Sequence, residues 1–222
     1  MPEKGGIFTG MKSEEKPYPL GPEVVADVGE KSVRAFTLSV QRAKGDLRTY
    51  RETFPLWVAD HSERGLANWI SDRIWAHLLA LAEDVSTMTT TEKGPLREVS
   101  VGMNHRFRVK RHDGEGNVAS YPTAAFLEFA SQPVAQLPGL EELRLITGYD
   151  WIKDRRDIGA AVISLRDGKD NLIWKEILPD IADEEGGDTA PIVTPEQPRP
   201  SVPTVEVPEG IGRAVEGLQE GE

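Results

Sequence analysis

Residues 60–112 read DHSERGLANWISDRIWAHLLALAEDVSTMTTTEKGPLREVSVGMNHRFRVKRH. Within this stretch the spacing of the apolar residues changes, and that change decides the fold class. Leu66, Ile70, Ile74, Leu78, Leu81 and Val85 recur every three or four residues, so they line one face of a helix. Trp69 and Trp75 widen the face. Asp60, with Glu63 three residues on, has the arrangement of a capping box and predicts a helix over 62–84. The polar run from Thr87 to Gly94 breaks it. From Glu98 onward the period is two. Val99 and Val101, then Phe107 and Val109, alternate with polar neighbours, which predicts one strand bent at Gly102 or two strands.

Upstream, Val33, Phe36, Val40, Ala43, Leu47, Tyr50 and Phe54 follow at alternating steps of three and four. They predict a helix over 30–54 with Gly45 inside it and Pro55 ending it. A short link then makes an antiparallel helical hairpin with the second helix. Downstream, Asp113-Gly114-Glu115-Gly116-Asn117 reads as a turn, and Thr123 caps a short helix carrying Phe126 and Phe129. Leu143 to Tyr149 reads as a strand and Trp151 to Gly159 as a charged loop. Val162–Leu165 and Leu172–Ile177 flank Asp167-Gly168 as a hairpin. The expected fold is therefore α+β: an antiparallel sheet of about four or five strands, covered on one face by the helical hairpin and one short helix, with disordered termini.

Three segments are expected: a flexible arm over 1–29, rich in Gly and Pro; an α+β domain over 30–179; and a disordered acidic tail over 180–222. The tail carries eleven Asp or Glu against two Arg, with six prolines and six glycines. Such a composition buries too little apolar surface to offset chain entropy. The whole chain is −11, so residues 1–179 are only −2, and the acidic balance belongs to the tail. Cysteine is absent, which excludes disulfides, zinc–thiolate sites and thiol nucleophiles and fits a reducing compartment. No run approaches the roughly 18 apolar residues of a membrane span, and no secretion signal is evident, so a cytoplasmic location is expected. Abundant Ala, Gly, Arg and Asp suggest a GC-rich bacterial or phage source.

The most distinctive local feature is Arg106, Arg108 and Lys110, with Arg111 and His112 following. On a strand, residues two apart share a face, so the first three cations would project together and could follow a phosphate backbone. The competing expectation is a solvated strand face paired with carboxylates of the neighbouring strand. His61, His77, His105 and His112 form no HxH or HxxxH pair, so no metal site is expected. Asp113, Glu115 and Asn117 imitate the start of a calcium loop, but Val118 and Ala124 stand where glycine and glutamate are required. Asp154, Asp157, Asp167 and Asp170, with Lys153 or Lys169, supply the residue types of a metal-dependent nuclease without its spacing. No GxSxG or GxGxxG motif occurs, and no cofactor is expected.

In the tail, Pro195-Glu196-Gln197-Pro198 and Pro200-Ser201-Val202-Pro203 favour an extended spacer. Beyond it Ile211, Val215 and Leu218 fall on helical spacing and could form a helix on a partner. The leading expectation is a non-catalytic intracellular interaction or regulatory protein that binds a protein partner. The alternative is a nucleic-acid-binding protein using the basic strand at 106–112. The third is an enzyme, a nuclease or other hydrolase, whose site is assembled at long range.

Overall fold

Two apolar periods in one chain require two kinds of element to share a core, and a computed structural model shows how they do so. It describes residues 18–94, 96–133 and 142–182. The chain divides into two units, Met1–Gly186 and Gly187–Glu222, and all described residues fall in the first. Ile211, Val215 and Leu218 lie outside the described residues.

Helix α1 (Gly21–Val28) precedes α2 (Glu30–Thr53), α3 (Pro55–Asp60) and α4 (Glu63–Ala82). Strands β1 (Met88–Lys93), β2 (Leu96–Val101) and β3 (His105–His112) follow, then α5 (Ala124–Ala130), β4 (Leu143–Ile152), β5 (Asp157–Arg166) and β6 (Leu172–Ile177). The fold is α+β with one six-stranded sheet in the order β1 to β6. Val33, Phe36, Val40, Ala43 and Leu47 of α2 and Leu66, Ile70, Ile74 and Leu78 of α4 are buried. Helix α2 packs on β4 and β5, and α4 on β1 and β3. The two helices run antiparallel: Asp46 reaches Arg73 and His77, while Tyr50 stacks on Trp69. Phe36 meets Phe107 at 4.8 Å between ring centroids and joins helix to sheet.

Several expectations change. Pro55 ends α2 and also starts α3 at a position where its missing N–H costs nothing. Asp60 therefore sits in α3, and the cap of α4 is Ser62, whose Oγ accepts the Gly65 N–H at 3.0 Å. The segment read as a polar break contains β1, an edge strand whose β-branched threonines suit a half-exposed ladder. The Gly102 bend is a hairpin turn that separates β2 from β3. Residues 21–28, placed in the arm by their Gly and Pro content, form α1, with Val24 and Val28 buried. The loop expected at 151–159 shrinks to a 3-10 turn, Lys153–Arg155, between the ends of β4 and β5.

The sheet is not wholly antiparallel. Strands β3 and β4 pair in parallel, because the long connection through α5 returns the chain to the same end of the sheet. Gly148 allows this pairing, since a Cβ there would lie 1.9 Å from the Lys110 carbonyl oxygen. Helix α5 covers the face opposite α2 and α4. Leu145 joins the main core, while its neighbour Ile146 joins a smaller cluster with Val118, Phe126, Phe129 and Ala130. Thr123 caps α5 by accepting the Phe126 N–H. No helix among the described residues is long and apolar enough to cross a membrane.

Candidate interaction surface

Strand β3 is the third of six, and its position governs the five residues singled out on it. Arg106, Arg108, Lys110 and His112 project to the α5 face, while Arg111 projects to the helical face. Arg106 pairs with Glu98 at 3.2 Å and Glu142 at 2.8 Å. Arg108 pairs with Glu98 at 3.1 Å, donates to the Ala125 carbonyl, and lies 4.0 Å above the Phe129 ring. Lys110 lies 5.8 Å from the Phe126 ring, and burial, then the Arg108 charge, pushes its pKa down. Arg111 pairs with Glu63 at 2.8 Å and sits over Trp151. These five residues make no continuous basic stripe. The four cations form ion pairs and cation–π contacts that hold α5 and α4 to the sheet.

His112 is wholly buried and shares a 2.9 Å hydrogen bond with Ser164 Oγ. Burial, followed by the charges of Arg166 and Lys175, pushes its pKa down to about 3, so the ring is neutral. Arg166 is also buried and donates to the carbonyls of Lys169 and Gly116. Lys175 pairs with Asp150 at 3.0 Å. This polar cluster stitches β5 and β6 to the 113–117 turn. Asp113 organises that turn by accepting the N–H groups of Glu115 and Asn117. The residues that imitated a calcium loop are thus turn residues. Among the described residues no group of three or more His, Cys, Asp or Glu converges as a metal site.

His105 lies 3.4 Å from Asp27 in an open cleft of about 510 Å³ between the α1–α2 junction and the β2–β3 turn. Burial lowers its pKa, against the opposing pull of Asp27. His61 and His77 serve contacts between helices. His61 Nε2 meets the Tyr50 hydroxyl at 3.1 Å, and His77 Nε2 meets Asp46 Oδ2 at 2.7 Å. Burial pushes the Asp46 carboxyl up, but hydrogen bonds from His77 and Arg73 outweigh it and leave the pKa lowered.

Three exposed large apolar side chains fall within four residues where α2 gives way to α3. Phe54 is 42% exposed, Leu56 76% and Trp57 62%. Phe54 was the last residue of the apolar face read for α2, but it lies outside the core. Its ring stacks on Trp57 at 4.6 Å and stands 6.0 Å from Tyr50, which stacks on Trp69 at 4.8 Å. Four aromatic rings thus run from a half-buried base to an exposed tip. The base is anchored by the β4–β5 turn. Arg51 donates to the Arg156 carbonyl at 2.7 Å and pairs with Asp157 at 3.2 Å, and Arg156 donates to the His61 carbonyl at 2.6 Å. Arg156 adopts the left-handed conformation, φ 52°, at this junction. The signal available in the sequence was Leu56-Trp57 placed in a connector too short to have a core of its own.

No protein-family model matches the chain, and neither a curated protein nor a solved structure shows significant similarity to it.

Proposed function

We propose that the chain is a non-catalytic, cytoplasmic interaction protein that docks a protein partner on the aromatic edge formed by Phe54, Leu56 and Trp57. The observation that supports this is the exposure of Phe54, Leu56 and Trp57 within four residues, with Phe54 and Trp57 stacked, on a braced support. Single exposed apolar residues are ordinary, but contiguous ones mark binding surfaces. Trp, Tyr and Arg also dominate the energetics of protein interfaces. The rings are held by stacking and by the Arg51 and Arg156 contacts, so little side-chain entropy remains to be lost on binding. The strongly perturbed His112 and its neighbour Arg166 are buried against the 113–118 turn and serve packing, which favours binding over catalysis. Arg106, Arg108 and Arg111 of β3 are committed to Glu98, Glu142 and Glu63, and Lys110 lies against the Phe126 ring, which favours a protein partner over a phosphate backbone.

The test is selection from a displayed random peptide library on the full chain, with counter-selection on Trp57→Ala and Phe54→Ala. Peptides that bind the wild type and lose at least about tenfold in affinity to Trp57→Ala support the reading. Selected peptides that bind both proteins equally would sink it.

A further inference from the structure

The aromatic edge has a charged rim, and its sign identifies the kind of segment it fits. The segments that carry or brace the rings, 48–64 and 153–157, hold Arg48, Arg51, Arg64, Lys153, Arg155 and Arg156 against Glu52, Asp60, Asp154 and Asp157, with Glu63 taken up by Arg111 at 2.8 Å. Arg51 and Asp157 neutralise each other at 3.2 Å. Arg48, Arg64, Lys153 and Arg155 make no ion pair among the described residues, and the Arg156 guanidinium meets a neutral carbonyl oxygen. Five cations therefore remain against three acids at this edge, whereas residues 1–179 as a whole carry an excess of acid. Lys153 and Arg155 are exposed in the 3-10 turn immediately before Arg156, which is tied to His61 beside the rings. Arg48 lies one helical turn before Arg51.

We infer that the occupant of this edge is an acidic amphipathic segment of another protein, with aromatic or branched aliphatic anchors for Trp57, Phe54 and Leu56 and carboxylates for the Arg and Lys rim. This inference rests on the docking reading above and specifies its partner class. The division of labour follows from interface physics. Desolvated apolar anchors supply most of the affinity, while rim charges steer association and make it sensitive to salt. Leu56 argues against a nucleic-acid strand, because an exposed aliphatic side chain offers a base no stacking face. The stacked pairs also engage the ring faces with one another, leaving edges and one outer face for aliphatic contact.

The experiment uses the full chain and the peptides recovered from the displayed library. Each peptide is compared with a copy in which Asp and Glu are replaced by Asn and Gln, by fluorescence anisotropy at low and high salt. The expected result is enrichment of Asp and Glu around apolar anchors and a loss of about tenfold in affinity for the amidated copies at low salt. The double substitution Lys153→Glu with Arg155→Glu should produce a similar loss while leaving circular dichroism unchanged. Trp57-dependent peptides with no acidic enrichment, indifferent to the double substitution, would overturn the acidic assignment and leave the docking reading standing. Failure to recover any Trp57-dependent peptide would overturn both. So would Trp57-dependent binding of an oligothymidylate in preference to peptides, or a Trp57-dependent dimer in sedimentation velocity.

Discussion

Strand β3 and the α2–α3 junction both combine cations with aromatic rings, yet they use them in opposite ways. On β3 the rings of Phe126 and Phe129 lie against Lys110 and Arg108, and Glu98 and Glu142 together neutralise Arg106 and Arg108. At the junction the rings stack on each other and project outward, while four nearby cations have no ion-pair partner among the described residues. The same chemical groups serve as internal fastening in one place and as an accessible surface in the other. What separates them is position. An interior strand is covered on both faces, whereas the end of a long helix is not.

The largest expected effect tests the fastening. Gly148→Ala would drive a Cβ into the Lys110 carbonyl and force β3 and β4 apart, costing more than about 4 kcal/mol. Urea denaturation measures it, and a near-wild-type midpoint would show that the parallel pairing does not hold β3 in place. Phe107→Ala, at the buried side of the same strand, should cost about 3–5 kcal/mol. The same substitution of the exposed Trp57 should change stability by no more than about 0.5 kcal/mol. Equal losses at the two sites would abolish the distinction between fastening and surface.

Acid should act on stability through the buried His112. Above the ordinary histidine value of 6.5, both folded and unfolded chains hold His112 neutral. Below it the unfolded chain takes up a proton that the folded chain refuses until about pH 3. Stability should therefore fall by up to about 1.4 kcal/mol per pH unit as pH drops from 6.5 toward 3. His105, with its pKa lowered too, contributes in the same sense. Denaturation midpoints between pH 7 and 5 check this, and His112→Gln should flatten the slope. An unchanged slope in that variant would remove His112 from the account.

A smaller effect sharpens the contrast between the two cation sets. Glu98→Gln leaves Arg106 and the half-buried Arg108 without their shared carboxylate, at a cost of about 1–3 kcal/mol. It should also delay elution from heparin relative to wild type, because β3 would then carry uncompensated charge. If elution is unchanged, the carboxylate is not what silences the strand.

The helical hairpin was legible because its signal is local. Five of the seven α2 positions read as one apolar face are buried. The face fails at its end because the helix stops there. Helix α2 ends at Thr53, and Phe54 is its C-cap at φ −132° and ψ 59°, so its side chain leaves the helical face. Tyr50, in the last turn, is half-buried and Phe54 exposed. Strand β1 was missed because an edge strand need not show alternation when only one of its residues, Met88, is buried. The alternation in β3 correctly placed Phe107 inward and the cations together on the other face. It could not show that α5 would cover that face.

The sequence by itself determined the α+β class, the two long helices, the inward members of β2 and β3, the Thr123 cap and the Asp113 turn. Each of these depends on side chains within a few residues of one another, where periodicity and hydrogen-bonding chemistry act directly. Tertiary structure alone decided the parallel β3–β4 pair, the face taken by α5, the neutralisation of Arg106 and Arg108, and the exposure of the Phe54–Trp57 stack. These depend on which segments meet after long chain excursions, and on which surfaces those segments leave uncovered. Local spacing carries no information about either.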